Sequence, residues 1–105
     1  QLDIFHIDWK LRCGEIGLVI GSEKNRSHGV GTEALGLLLA YGFDTLGLER
    51  MELDVHMENE RALKCYRRAG FVLEGVKRHA YYTGGRFVDV GIMSVLADEW
   101  RQRAK

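Results

Sequence analysis

Residues 16–34 constrain this chain more than any others. An apolar run, Ile16 to Ile20, leads into a polar loop, Gly21 to His28. Gly29-Val30-Gly31-Thr32 then opens a helix whose apolar face carries Ala34, Leu35, Leu38, Leu39, Phe43 and Leu46, at spacings of three and four. Strand, loop, two glycines and helix make a cradle for an anion. Glycine lets the backbone approach a ligand closely, and the free amides at a helix start attract negative charge. A P-loop needs GxxxxGK[ST], and no lysine follows Gly31. A dinucleotide fingerprint fits formally as Gly29-x-Gly31-x-x-Ala34, with Glu58 as the ribose ligand. Its first glycine, however, belongs at the strand end, and here Ser22 to His28 intervene. A third pattern, R/Q-x-x-G-x-G/A, fits Arg26-Ser27-His28-Gly29-Val30-Gly31 without a gap. The loop alone is equally compatible with an ordinary glycine-rich helix start.

The rest of the chain supplies the frame. Residues 2 to 8 alternate as a strand, Trp9 to Arg12 form a polar turn, and Glu15 to Ile20 read as a second strand buried on both faces. The first helix ends near Gly47, a C-terminal cap. Met51 to Met57 alternate as a strand, with Met51, Leu53, Val55 and Met57 on one face. Helix follows from Glu60 to Ala69, between Asn59 as N-cap and Gly70 as C-cap. Phe71 to Tyr82 and Phe87 to Val95 flank a Gly84-Gly85 hairpin turn, and Ala97 to Arg103 close with a helix. The order β-β-α-β-α-β-β-α implies a mixed α+β fold. Antiparallel pairs stand at its ends, and a right-handed parallel crossover at its centre.

With 105 residues, one domain over 1–105 is expected. A hydrophobic fraction of 46% excludes a disordered chain, and zero net charge argues against nucleic-acid or membrane-surface binding. The longest uncharged apolar stretch, Ala34 to Phe43, is about half of what a membrane span needs. Lys64, Arg67 and Arg68, and Arg101, Arg103 and Lys105, read as solvated helix faces without interleaved stacking aromatics. Tyr81, Tyr82 and Trp100 read as packing or dimer contacts. Cys13 and Cys65 lack CxxC spacing, which favours small buried hydrophobes in a reducing cytoplasm over zinc or disulfide. The four histidines show no ligand spacing, so no metal is expected. His28 lies in the loop, facing solvent or a phosphate; His56 reads as structural; His6 and His79 carry no pattern.

Asn59-Glu60-Arg61-Ala62-Leu63-Lys64-Cys65-Tyr66-Arg67-Arg68-Ala69-Gly70-Phe71 resembles the N-x-x-A-x-x-x-Y-x-x-x-G-F segment of the GNAT acyltransferase superfamily. The loop at Arg26 to Gly31 precedes it in the right order and matches that family's acetyl-CoA pyrophosphate loop. Ile7-Asp8-Trp9 and Glu15 to Ile20 are similar to the family's third and fourth strands. Phe71 to Val76, Tyr81, Gly85-Arg86, Asp89, Met93 and Glu99-Trp100 resemble the branch of ribosomal-protein N-terminal and spermidine acetyltransferases.

The resemblance implies a GNAT fold entered at its third strand, with a strand, two helices and a strand preceding Gln1 in family members. It implies acetyl transfer from acetyl-CoA to a primary amine: a protein N-terminus, a polyamine or a small molecule. Backbone at Leu18, Val19 and Ile20 would bond pantetheine and the oxyanion. Arg26, Ser27, His28, Gly29, Val30, Gly31 and Thr32 would hold the pyrophosphate. Asn59 would contact the pantetheine arm, Tyr66 would protonate the leaving thiolate, and Glu15 would serve as base or water relay. A homodimer is implied by the pairing of the last strands and helix. Two alternatives stand beside this: a non-catalytic CoA-binding or dimerisation module, and a nucleotide-binding half-domain.

Overall fold

The computed structural model describes residues 2–18 and 30–103. Strands β1 (Leu2–Asp8) and β2 (Cys13–Leu18) are followed by helix α1 (Val30–Ala40). Then come β3 (Arg50–His56), α2 (Glu60–Ala69), β4 (Val72–Thr83), β5 (Arg86–Leu96) and α3 (Ala97–Arg103). The element order agrees with the sequence pattern. The sheet runs β1-β2-β3-β5-β4. Only β2 and β3 are parallel; every other neighbouring pair is antiparallel. The mainly antiparallel sheet argues against the nucleotide-binding half-domain, whose strands are mostly parallel.

One face of the sheet carries the core. Met51, Leu53 and Val55 of β3 and Met93 and Val95 of β5 lie under Leu35 and Leu39 of α1, Phe43, and Leu63 and Tyr66 of α2. Trp100 of α3 packs on Phe43, ring centroids 5.8 Å apart. Each fully buried side chain of this size contributes about 1.5–3 kcal/mol. Arg50, Glu52, Asp54 and His56 alternate onto the opposite face of β3, which the helices do not cover.

Three expectations change. Burial on β2 alternates: Gly14 and Ile16 are buried, while Cys13, Glu15 and Gly17 are half-buried, because the helices cover one face only. The strand spans Cys13–Leu18 rather than Glu15 to Ile20, with residues 19 and 20 outside the described part. Helix α1 does not run regularly to Gly47. It widens into a π-helical turn, Tyr41–Thr45, closed by Leu46 N–H donating to Tyr41 O at 3.0 Å. Leu35, Leu39 and Phe43 recur every four residues and would drift around a helix of 3.6 residues per turn. The wider turn keeps Phe43 over the core.

Helix α2 fits its expected ends. Asn59 Oδ1 accepts from Ala62 N–H at 3.1 Å, and Gly70 takes the left-handed conformation, φ 110°. Gly84 and Gly85, at φ 59° and 81°, make the tight turn of the β4–β5 hairpin.

Candidate active site

The centre of the sheet is not continuous. Parallel strands β2 and β3 pair at three positions: Cys13 with Arg50, Gly14 with Met51 and Glu15 with Glu52. Beyond them, Ile16, Gly17 and Leu18 pair outward with β1, and Leu53 to His56 pair outward with β5. Among the described residues, the facing edges of β2 and β3 therefore pair with nothing past Glu15. Unpaired backbone amides and carbonyls in mid-sheet are costly unless something completes them. A ligand with its own amide groups is a natural occupant of such an opening.

Two groups singled out in the sequence lie on opposite faces of the sheet. On the core face lies Tyr66, two turns into α2 and 7% exposed. Its ring lies 6.0 Å from that of Phe71. Burial, with a smaller contribution from neighbouring Cys65, pushes its phenol up to about 12. The group therefore stays protonated at neutral pH. Asn59, at the start of the same helix, spends its Oδ1 on the cap and keeps its amide hydrogens for another partner. The turn ahead of it is tied down by Glu58, whose carboxylate accepts from both terminal nitrogens of Arg86 at 2.6 Å. That bond also holds the Glu58 carboxyl below its ordinary range and occupies the group that a ribose would need.

On the open face lies Glu15, at the last paired position of β2. Its Oε2 lies 2.8 Å from His6 Nδ1 on β1. Next to it on β3, Glu52 accepts from Arg50 Nε at 3.0 Å. Arg50 also grips Glu74 through both terminal nitrogens, and Ser94 donates its hydroxyl to the same carboxylate. These bonds hold Glu74 down at about 2. A register shift between Leu73 and Gly75 leaves Glu74 as the extra residue of a bulge, which allows this aim.

The model of the acetyltransferase (GNAT) domain matches residues 2–72. The chain belongs to the GNAT acetyltransferase family. Spermidine N(1)-acetyltransferase of Escherichia coli K12 is 33% identical over 86 residues, covering 82% of this chain and 46% of that protein. The Vibrio cholerae enzyme of the same name is 28% identical over 104 residues, covering 99% of this chain and 60% of the relative. This GNAT chain thus spans about half the length of the curated relatives it matches. A structure of the Vibrio cholerae spermidine N-acetyltransferase with CoA and spermine superposes with a TM-score of 0.88 and 27% identity. It covers 95% of this chain and 59% of that one. A second structure of that protein, described as dodecameric, gives 0.91 at the same identity, over 99% and 60%. The fold is therefore the GNAT fold.

Of the residues singled out in the sequence, Glu15 lies where the β2–β3 pairing ends, while Asn59 caps α2 and Tyr66 lies on its buried face. Leu18 ends β2, and Val30, Gly31 and Thr32 form the first turn of α1. Val19, Ile20, Arg26, Ser27, His28 and Gly29 lie outside the described residues. Cys13 and Cys65 form no disulfide, and both are half-buried rather than buried. Cys65 packs against the core from α2. The ring of His56 lies 5.0 Å from that of Tyr81, tilted by 38°. Among the described residues no cluster of three metal-ligating side chains occurs, and no helix is long and apolar enough to cross a membrane. One structure of the Vibrio cholerae relative is a complex with manganese ions.

The site residue that sequence reasoning missed is His6. Its backbone φ of 50° is unusual for a non-glycine residue. No pattern in a single strand signals it.

Proposed function

We propose that this chain transfers the acetyl group of acetyl-CoA to a primary amine. The observation that supports the reading is the opening between β2 and β3, with Glu15 at its edge, together with the buried Tyr66 of α2. Acetyl-CoA supplies an activated thioester and an arm of amide groups suited to unpaired strand edges. Leu18, Val19 and Ile20 would offer backbone bonds to that arm and to the developing oxyanion. Residues Arg26 to Thr32 would hold the pyrophosphate at the start of α1. Asn59 would donate its side-chain amide to the arm.

An alkylamine with a pKa near 10.4 is almost fully protonated at neutral pH, and only the free amine attacks. Glu15, directly or through a water, takes the proton that the nitrogen must lose. The nitrogen bonds to the acetyl carbon and the carbon–sulfur bond breaks. The electron pair leaves on sulfur, which takes the proton of Tyr66. The tyrosinate is rebuilt from solvent.

Spermidine is the first acceptor to test, because three relatives carry that name; protein N-termini and small amines follow. Two cysteines outside any disulfide accord with a reducing cytoplasm. The exposed Tyr81, Tyr82 and Phe87 of the β4–β5 hairpin accord with a homodimer, which sedimentation velocity checks.

Isothermal titration of the chain with CoA, followed by an acetylation assay with spermidine, tests the proposal. Binding with turnover supports it, and absence of CoA binding sinks it. The second reading is a non-catalytic CoA module, for which the β2–β3 opening would serve binding alone. CoA binding without acetylation of any amine would establish it.

A further inference from the structure

β1 and β2 pair regularly from Leu2 with Leu18 to Phe5 with Glu15, and the register then shifts before Asp8 meets Cys13. His6 lies inside that shift, in the left-handed region at φ 50°. A bulge with a left-handed residue is a device for re-aiming a side chain. Here the side chain it aims is an imidazole, whose Nδ1 meets Glu15 Oε2 at 2.8 Å. Glu15 stands where the pairing of β2 with β3 ends. Backbone strain of this kind persists where the surroundings hold it, and it gathers at functional sites.

The carboxylate needs such a fixture. On the same face lie Glu52 and Asp54 of β3 and Glu74 of β4, all acidic. Arg50, the cation of this cluster, is bonded to Glu52 and Glu74. The donor holding Glu15 is instead His6, reached only through the bulge.

We propose that His6 is a positioning residue: its left-handed bulge exists to donate Nδ1–H to Glu15 and hold that carboxylate at the mouth of the β2–β3 opening. The inference rests on the acetyltransferase reading for its consequence, and on the His6–Glu15 geometry for its substance. His6 takes no part in bond making. Its hydrogen bond keeps Oε2 occupied and the second oxygen, Oε1, directed to the proton that the amine loses. A hydrogen bond of known donor also fixes the tautomer, with the proton on Nδ1.

Three substitutions separate the backbone from the hydrogen bond. Glycine accepts φ 50° freely but has no donor, whereas asparagine tolerates that φ and places an amide donor near the Nδ1 position. In the acetylation assay with spermidine, His6→Gly is expected to lower kcat at least 10-fold, with KM for acetyl-CoA within 2-fold. His6→Asn is expected to recover most of the loss. His6→Gly added to Glu15→Gln is expected to cost nothing further, because the one acts through the other. Melting temperatures of the three variants control for folding.

A His6→Gly chain with wild-type kcat, or losses that multiply in the double variant, would overturn the proposal and leave the acetyltransferase reading standing. If the wild type acetylates nothing, the acetyltransferase reading falls alone and nitrogen-15 shifts of the imidazole at pH 8 decide the pair. An Nδ1–H tautomer that is lost in Glu15→Gln supports the fixture; an Nε2–H tautomer in the wild type overturns it.

Discussion

Removing the Tyr66 hydroxyl should make the protein less sensitive to alkali. Burial raises the phenol from 10.0 to about 12 in the folded chain, while the unfolded chain keeps the ordinary value. A raised folded pKa stabilises fully below the unfolded pKa, and the contribution is lost as pH rises from 10 through 12. Two pKa units correspond to about 2.7 kcal/mol, and at pH 11.5 about 2 kcal/mol of that is already gone. With Tyr66 only 7% exposed, solvent screening takes little from the figure. The assay is urea unfolding of the wild type and Tyr66→Phe at pH 8.5 and pH 11.5, with linear extrapolation. Tyr41, Tyr81 and Tyr82 are exposed and common to both proteins, so their contributions cancel in the comparison. The wild type should lose about 2 kcal/mol more than the variant between the two conditions. Equal losses would refute the reasoning, and with it the claim that burial raises the phenol. The same burial has a kinetic side: Tyr66→Phe should lower kcat by about 100-fold or more, as loss of a general acid does, while CoA affinity holds.

Glu74→Gln should destabilise the protein at pH 7 by about 1 kcal/mol, a figure discounted because the Glu74 side chain is 40% exposed. A depressed carboxyl pKa stabilises above pH 4.5 and is lost as pH falls toward 2, so the two urea midpoints should converge there; parallel curves would sink the idea. Asn59→Ala should cost about 1 kcal/mol through the lost cap and should also weaken CoA binding. Asn59→Asp should restore the melting temperature, because a carboxylate caps, yet leave CoA binding weak, because it cannot donate. Calorimetry that finds CoA affinity restored in Asn59→Asp would remove Asn59 from the cofactor arm.

Helix α2 was legible to the residue because both of its ends are chemical: an asparagine that accepts and a glycine that takes positive φ. The strands were legible as a set, with bounds displaced by a residue or two at Arg50, Val72 and Arg86. Their spatial order was not. Nothing in the alternation of β5 says that it lies between β3 and β4, since that placement is decided by the shared core of Leu53, Met93 and Leu73. The opening after Glu15 was reachable only through family resemblance, because a missing pairing leaves no trace in a strand's periodicity. His6 and Glu74 escaped for a related reason. Each owes its aim to a register shift, and a shift belongs to two strands together. Tyr66 and Asn59 were found through the spacing of a motif, and the structure adds what spacing cannot: burial for the one and the cap for the other.

The opening between β2 and β3 also divides the molecule mechanically. A ribbon of β1 and β2 is joined to the slab of β3, β5 and β4 by three residue pairs, by the bonds of Arg12 to Gly47, Glu49 and Arg50, and by the packing of Ile4, Ile7 and Ile16 into the shared core. A two-stranded ribbon by itself is marginal in water. On the acetyltransferase reading, the cofactor is then a suture as well as a reagent. At a hundredfold excess over its dissociation constant it adds about 2.7 kcal/mol to the stability of the bound fold. Bound cofactor would thus hold the ribbon closed, and CoA added to the chain should slow its cleavage by a protease.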